Sequence, residues 1–324
     1  MDNIKVNNIT IMTIPKSLLL CVFLILPILL CIALADKFYF NSALLPYVGL
    51  SALYLPVFIL VFVLPHIIAS FFSFFDHEYV HYYRRHLFLY LPVLLIATAA
   101  LLYTNYILGV IFFLLYDFWH GVKQNVGISL ILGARPGWLH RAWTLIPFLA
   151  GGVAVVYIVR PSAYPAEFIP YISPVLFFGA ILMVLSTAAM MWKASTAARW
   201  HILGVSMLFL FGYYFILAGY IFFAILAFRF THDVSAFAFY VTHDNNRKKG
   251  GKTNWFYRLF GSMPVPTLIL TPLLALALAY VVRTATDGLA IGYSIVILIA
   301  ISHFYLEGVM WKRDSPHRQY VKVV

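Results

Sequence analysis

Cysteine and charge are what this sequence has least of. Its two cysteines, Cys21 and Cys31, both lie in the first apolar stretch, which excludes a disulfide framework and a cysteine-based zinc site. Charged residues make up 10% of the 324, against roughly 25% in soluble domains. No long polar segment exists either. The longest stretch between apolar runs is 244–264, too short for a separate soluble domain. With 63% of residues hydrophobic, the apolar surface exceeds what a soluble core of this size can hide. A cytosolic enzyme, a secreted domain, a disordered chain and a coiled coil are excluded. No nucleic-acid-binding motif or fixed-period repeat is present, and the one dense basic run (Arg247, Lys248, Lys249, Lys252) is short. Nucleic acid is therefore not an expected partner, whereas membrane lipid is.

What is present is a series of apolar runs. A spanning helix needs about 20 mostly apolar residues. Ten are predicted, at 17–35, 47–73, 87–104, 107–131, 143–159, 172–193, 200–217, 220–243, 265–283 and 289–311. They imply an all-α, polytopic transmembrane bundle occupying 1–324 as a single unit. Ala33-Leu34-Ala35 imitates a signal-peptide cleavage site, but the run before it is longer than the usual apolar region of such peptides, so a retained first helix is expected. The 200–243 stretch lacks a polar turn and reads as one long helix or as a hairpin near Ala218-Gly219. The positive-inside rule decides between them. With ten spans and a cytoplasmic N-terminus, 17 Lys and Arg fall on the inner side and three, Lys37, Arg160 and Arg283, on the outer; nine spans give 9 against 11. Ten spans with both termini cytoplasmic are expected, in a bacterial inner membrane. The net charge of +11 then serves orientation and contact with anionic lipid.

On this topology none of the eleven histidines lies in an outer loop. An imidazole inside a bilayer is expensive and is a functional-site hypothesis by default. His77 and His81 are four apart, on one helical face, where both could bind one ion; His66 shares that face if the second span continues through Asp76. Asp117, His120 and Gln124 form a polar stripe deep in the fourth span, and Lys123 beside it could supply a counter-charge. The eighth span carries Thr231-His232-Asp233 and Thr242-His243-Asp244. The two imidazoles sit about 16 Å apart on a straight helix and cannot share an ion. His243, level with His77 and His81, is the expected ligand; His232, level with His120, is an additional candidate. Arg229 and Asp233, at i and i+4, are expected to neutralise each other. His303 and Glu307 repeat the i, i+4 spacing in the last span. His86 belongs with an interfacial aromatic girdle, and His140, His201 and His317 are expected at the surface or behind the ligands.

Many imidazoles with a few carboxylates and no sulfur suit iron, zinc or copper rather than magnesium or calcium. His77-Glu78-x-x-His81 matches the zinc-protease string, but the only Asp-Gly that could supply a further ligand, Asp287-Gly288, falls on the opposite face of the membrane. The arrangement resembles the multi-histidine membrane oxygenases that use non-haem iron. Fatty-acid desaturases and hydroxylases share a His-x-x-x-His box, found here at His77 and His81. The Brp/Blh carotene-oxygenase family is similar across the whole chain in size, membrane content and single histidines contributed by several helices. That resemblance implies an integral-membrane, iron-dependent oxidoreductase acting with O2 on a lipophilic substrate such as a carotenoid, terpenoid or acyl chain. His77, His81, His120, His243 and His303, with His232, would ligate the metal on the cytoplasmic side. Glu78, Asp117 and Glu307 would be ligands or would orient an imidazole. Two readings of other classes stand beside it. One is a proton-coupled transporter or channel with Asp117, His120, Lys123 and His232 as relay, disfavoured by the near absence of ionisable groups in the outer halves of the spans. The other is a membrane acyltransferase with His120 as base.

Overall fold

A computed structural model describes residues 11–49, 56–159, 165–250, 254–259 and 265–324. Lys5, part of the predicted 47–73 span, Arg160 with the start of the 160–171 loop, and Gly251 and Lys252 lie outside the described residues. Regular structure among the described residues is helical, with one isolated β-bridge between Ile14 and Val323. The helices are α1 Lys16–Tyr39, α2 Ile59–Phe75, α3 His77–Tyr82, α4 His86–Thr104, α5 Tyr106–Ile131, α6 Trp138–Ile158, α7 Ala166–Trp192, α8 Thr196–Leu217, α9 Ile221–Lys249, α10 Trp255–Leu259, α11 Thr267–Thr286 and α12 Gly292–Met310. Nine of these, all but α2, α3 and α10, are long and apolar enough to cross a membrane. The chain is an integral membrane protein.

Local chemistry sets the helix limits. Asn105 caps α5 by accepting from the Leu108 amide (3.1 Å), and Ser195 caps α8 by accepting from Ala198 (3.3 Å). The doubtful 200–243 stretch is two helices. α8 ends at Leu217, Gly219 takes φ of +86°, and α9 starts at Ile221. Only the missing Cβ makes that turn inexpensive. α9 then runs past the predicted end at 243 to Lys249, because no breaker precedes Gly250. Its polar end is held by Asn246, which bonds the Met12 backbone and the Tyr320 carbonyl. α2 is irregular: a π-turn covers Ile59–Val63, and a 3-10 turn at Phe72–Phe75 ends in Asp76 with extended backbone. The helical phase therefore does not run on from His66 to His77, as the shared face of the sequence reading required.

The described residues divide into two compact units, each discontinuous in sequence. The first takes those within Met1–Pro15, Val63–Ala100 and Ala236–Val324; the second takes Lys16–Phe62 and Leu101–Ser235. In the first, α11 and α12 pack on the Leu64–Phe71 part of α2; in the second, α5, α6, α7 and α8 pack in succession and α1 lies against α8. Asp36, fully buried at the end of α1, accepts hydrogen bonds from the Leu44 amide and the Tyr220 hydroxyl, both at 2.9 Å. That carboxylate fastens the end of α1 to the α8–α9 turn.

Replacing Gly219 with Ala should destabilise the protein by about 1–2 kcal/mol, the cost of left-handed backbone for a residue with a Cβ. Gly127→Ala, inside α5 with open space around the added Cβ, should be neutral or gain up to about 1 kcal/mol. Thermal unfolding of the two variants in detergent, compared with wild type, checks the pair.

Candidate metal-binding groups

His303 stands at the centre of the first unit. α12 carries it fully buried, opposite Ser70 on α2. The Ser70 hydroxyl donates to the Ile67 carbonyl at 2.7 Å, so toward His303 Nδ1, 2.9 Å away, it can only accept. Nδ1 must then carry a proton, and Nε2 is left facing the carboxylate. It lies 3.7 Å from Glu307 Oε2, one turn along. The other oxygen of Glu307 is fixed by the Tyr240 hydroxyl (2.6 Å) and the Trp311 indole (3.2 Å). His66, also buried, sets its ring edge-on to His303 with centroids 4.9 Å apart. His303 thus lies against a carboxylate and a second imidazole, all three buried.

The second unit holds a similar set. The predicted stripe on α5 faces α9 along its length: Asp117 meets Arg229, His120 meets His232, and Gln124 donates to the His232 carbonyl. The approach is close because Gly121 has no side chain; a Cβ there would come within 2.4 Å of the Phe228 ring. The His120 and His232 rings sit 5.0 Å apart, and Asp233 Oδ1 is 4.0 Å from His232 Nε2. Ligand atoms of His120 and His232 lie within 4.8 Å of each other, as do those of His303 and Glu307. Arg229 hydrogen-bonds Asp117 on α5 at 2.5 Å, and Asp233, its expected partner, acts on it electrostatically as well. Lys123 is exposed, with its ammonium over the Trp119 ring.

His77 and His81 are not drawn into either set. Asp76 caps α3 through the Glu78 amide, and from that start Tyr79 and Tyr83 turn inward to pack with Val309. His77, Glu78 and His81 are consequently exposed. Glu78 lies 3.2 Å from Arg247, which also donates to Asp76. His243 is buried with both ring nitrogens engaged, Nε2 with the Tyr79 hydroxyl (2.7 Å) and Nδ1 with Asp244 (2.9 Å). Asp244 in turn accepts from Tyr257 and Thr271. Burial pushes the Tyr79 and Tyr257 phenols up, so Tyr79 is the donor to Nε2 and the Nδ1 proton points at Asp244. The chain Tyr79–His243–Asp244–Tyr257 borders a cavity of about 10 Å³, the size of one water.

His317, expected at the surface or behind the ligands, is fully buried, stacked on Tyr79 at 4.0 Å with Nδ1 3.0 Å from the Tyr83 hydroxyl. His140 and His201 are buried as well. His86 meets the Tyr305 hydroxyl at 2.7 Å, as an interfacial girdle residue would. The residues that the sequence reading passed over are His66, left out of the ligand set although it is buried on α2, and the Tyr79/Tyr83 pair, whose i, i+4 spacing lies two residues beyond the more conspicuous histidines. No protein-family model, curated protein or solved structure matches the chain.

Two outcomes follow from this geometry. Arg229→Met should cost about 3–5 kcal/mol by stranding the Asp117 charge, and adding Asp117→Leu should recover most of that. Chemical denaturation of the single and double variants checks the sign; a double variant no more stable than the single one would contradict it. The second concerns pH. Burial, with His243 and Arg247 nearby, holds His317 well below its ordinary 6.5. Tyr79, Tyr83 and Trp311 are the other groups facing it. The unfolded chain therefore takes up the proton first, and stability present above about pH 6.5 should fall as pH drops below it. Melting temperature at pH 7.5 and 5.5 should drop less in His317→Gln than in wild type.

Proposed function

We propose that this chain is an integral-membrane, metal-dependent oxidoreductase, with iron as its metal and O2 as co-substrate, acting on a lipophilic molecule such as a carotenoid, terpenoid or acyl chain. The observation that carries the reading is His303, fully buried with Nε2 3.7 Å from the Glu307 carboxylate and Nδ1 held by Ser70. An imidazole nitrogen and a carboxylate this close in a dry interior are groups that could hold a metal ion. The donor chemistry fits iron: His66, His303 and Glu307 in the first unit, and His120, His232 and Asp233 in the second, are each two imidazoles and one carboxylate. That is the donor set of non-haem iron oxygenases. Iron, when bound, supplies the capacity to activate O2.

The chain's own residues do the rest. Ser70 fixes the tautomer of His303, and Tyr240 and Trp311 aim Glu307. The Arg229–Asp117 pair and Gln124 hold α5 against α9, so that His120 and His232 keep their ring contact. Apolar helices admit the substrate sideways from lipid and exclude water. His77, His81 and Glu78, exposed on α3, and His243, hydrogen-bonded at both nitrogens, are left out of the ligand set in this reading. The basic asymmetry supports cytoplasmic termini.

Protein purified from iron-replete cells should contain stoichiometric iron by elemental analysis and consume O2 with a suitable polyene or acyl substrate. His303→Ala and His232→Ala should each lose metal, whereas His77→Ala, His81→Ala and His243→Ala should keep it. Folded wild-type protein free of transition metal would overturn the proposal, and so would full metal retention in His303→Ala.

A further inference from the structure

In the first unit, His243 lies where a hydrogen-bond chain meets a series of packed rings. The Tyr79 hydroxyl meets His243 Nε2 at 2.7 Å, and Nδ1 of the same ring meets Asp244 at 2.9 Å. Asp244 also accepts from Tyr257 and Thr271. A buried phenol is thus joined to an imidazole backed by a carboxylate, at the separation over which a base takes a proton. Tyr83 provides the contrast. Its hydroxyl lies 3.0 Å from His317 Nδ1, but His317 Nε2 is buried without a hydrogen-bond partner among the described residues. Nothing there would pair with the charge that a second proton brings.

Rings also lead away from Tyr79. His317 stacks on it with centroids 4.0 Å apart, and Trp311 lies 5.9 Å from His317 and 6.4 Å from His243. The Trp311 indole donates to Glu307 at 3.2 Å. Electron tunnelling falls off exponentially with distance, and each step from Tyr79 to Glu307 is a single contact. Trp311 is only half-buried, so the series also reaches the surface. The Arg247 guanidinium sits 4.1 Å from the centroid of the Tyr79 ring. A cation there opposes positive charge on the ring. Loss of an electron from Tyr79 is therefore tied to loss of its proton, and His243 is in place to take it.

We propose that Tyr79 is a redox-active residue, giving one electron by way of His317 and Trp311 to a transition-metal oxidant at Glu307, and its phenolic proton to His243 Nε2. The O–H bond breaks and an Nε2–H bond forms. The products are a neutral phenoxyl radical and an imidazolium paired with Asp244, and return of the electron brings the proton back. The oxidant at Glu307 rests on the function proposed above; the pairing of Tyr79 with His243 does not.

The test supplies its own oxidant, so that it reads Tyr79 whether or not metal is bound. Full-length protein in detergent is oxidised with photogenerated tris(bipyridine)ruthenium(III). Ascorbate then removes radicals at exposed tyrosines, and samples frozen after increasing delays are read by electron paramagnetic resonance, beside their iron content. Wild type should keep a tyrosyl signal that Tyr79→Phe loses and that Tyr83→Phe and Tyr240→Phe retain. His243→Gln, whose amide accepts the hydrogen bond but takes no proton, should form the radical about a hundredfold more slowly, the usual share of a positioned base. A signal that persists in Tyr79→Phe, one that disappears in Tyr83→Phe or Tyr240→Phe, or an unchanged rate in His243→Gln would each overturn the proposal. Iron-containing wild type without the signal would overturn this inference alone. Metal-free wild type that forms the signal would overturn the oxidoreductase reading and support the pairing of Tyr79 with His243.

Discussion

A polar side chain on a helix surrounded by lipid has no water to fall back on, so it must find its partner within the protein. Apolar helix faces cannot choose neighbours by hydrophobicity, because lipid tails serve them equally well. Here the choice is made by a few buried charges. Asp36 fastens the end of α1 to Tyr220 at the α8–α9 turn. Asp117 draws Arg229, and with it α9, onto α5. Asp244 gathers Tyr257 and Thr271 from α10 and α11, and Glu307 gathers Tyr240 from α9. Each of these links joins different elements, and the pairs His303–Glu307 and His120–His232 each lie beside one of them. The groups that specify the packing also hold the reactive groups in place.

What could be read from the sequence was what depends on composition along a single helix. Long apolar runs located nine spanning helices, and the Ala218-Gly219 break was predicted from charge balance on either side of it. The stripe Asp117, His120, Gln124 was correctly assigned to one face, because α5 is continuous and its period holds. Where the argument assumed continuity that the backbone lacks, it failed. The π-turn at Ile59–Val63 and the 3-10 turn at Phe72–Phe75 reset the helical phase. Two histidines at the right spacing then turn outward, and two tyrosines at the same spacing turn inward. Arg229 illustrates a second limit: i, i+4 spacing names Asp233 as its partner, but spacing along one helix cannot show the bond to Asp117 on another.

The repeated tripeptide shows how little of a histidine's role is local. Thr231-His232-Asp233 and Thr242-His243-Asp244 have the same sequence on one unbroken helix. His232 meets another imidazole and stands 4.0 Å from the following aspartate, whereas His243 is hydrogen-bonded to its aspartate at 2.9 Å and to a phenol. Asp244 can come close because Tyr257 and Thr271 hold it from the far side.

The contrast between His303 and His243 comes down to where one hydroxyl proton goes. Each imidazole meets a hydroxyl at one nitrogen and a carboxylate near the other. Ser70 has already given its proton to the Ile67 carbonyl, so it must accept from His303, and Nε2 is left on the side of Glu307. Tyr79 is kept protonated by burial, so it must donate to His243, and the imidazole proton is sent to Asp244. In one case an imidazole nitrogen and a carboxylate oxygen stand 3.7 Å apart, close enough that both could bind one ion. In the other, donors and acceptors alternate from Tyr79 through His243 to Asp244, where Tyr257 donates from the far side. The same pair of side-chain types therefore makes a group that could hold a metal ion on α12 and a hydrogen-bond relay on α9.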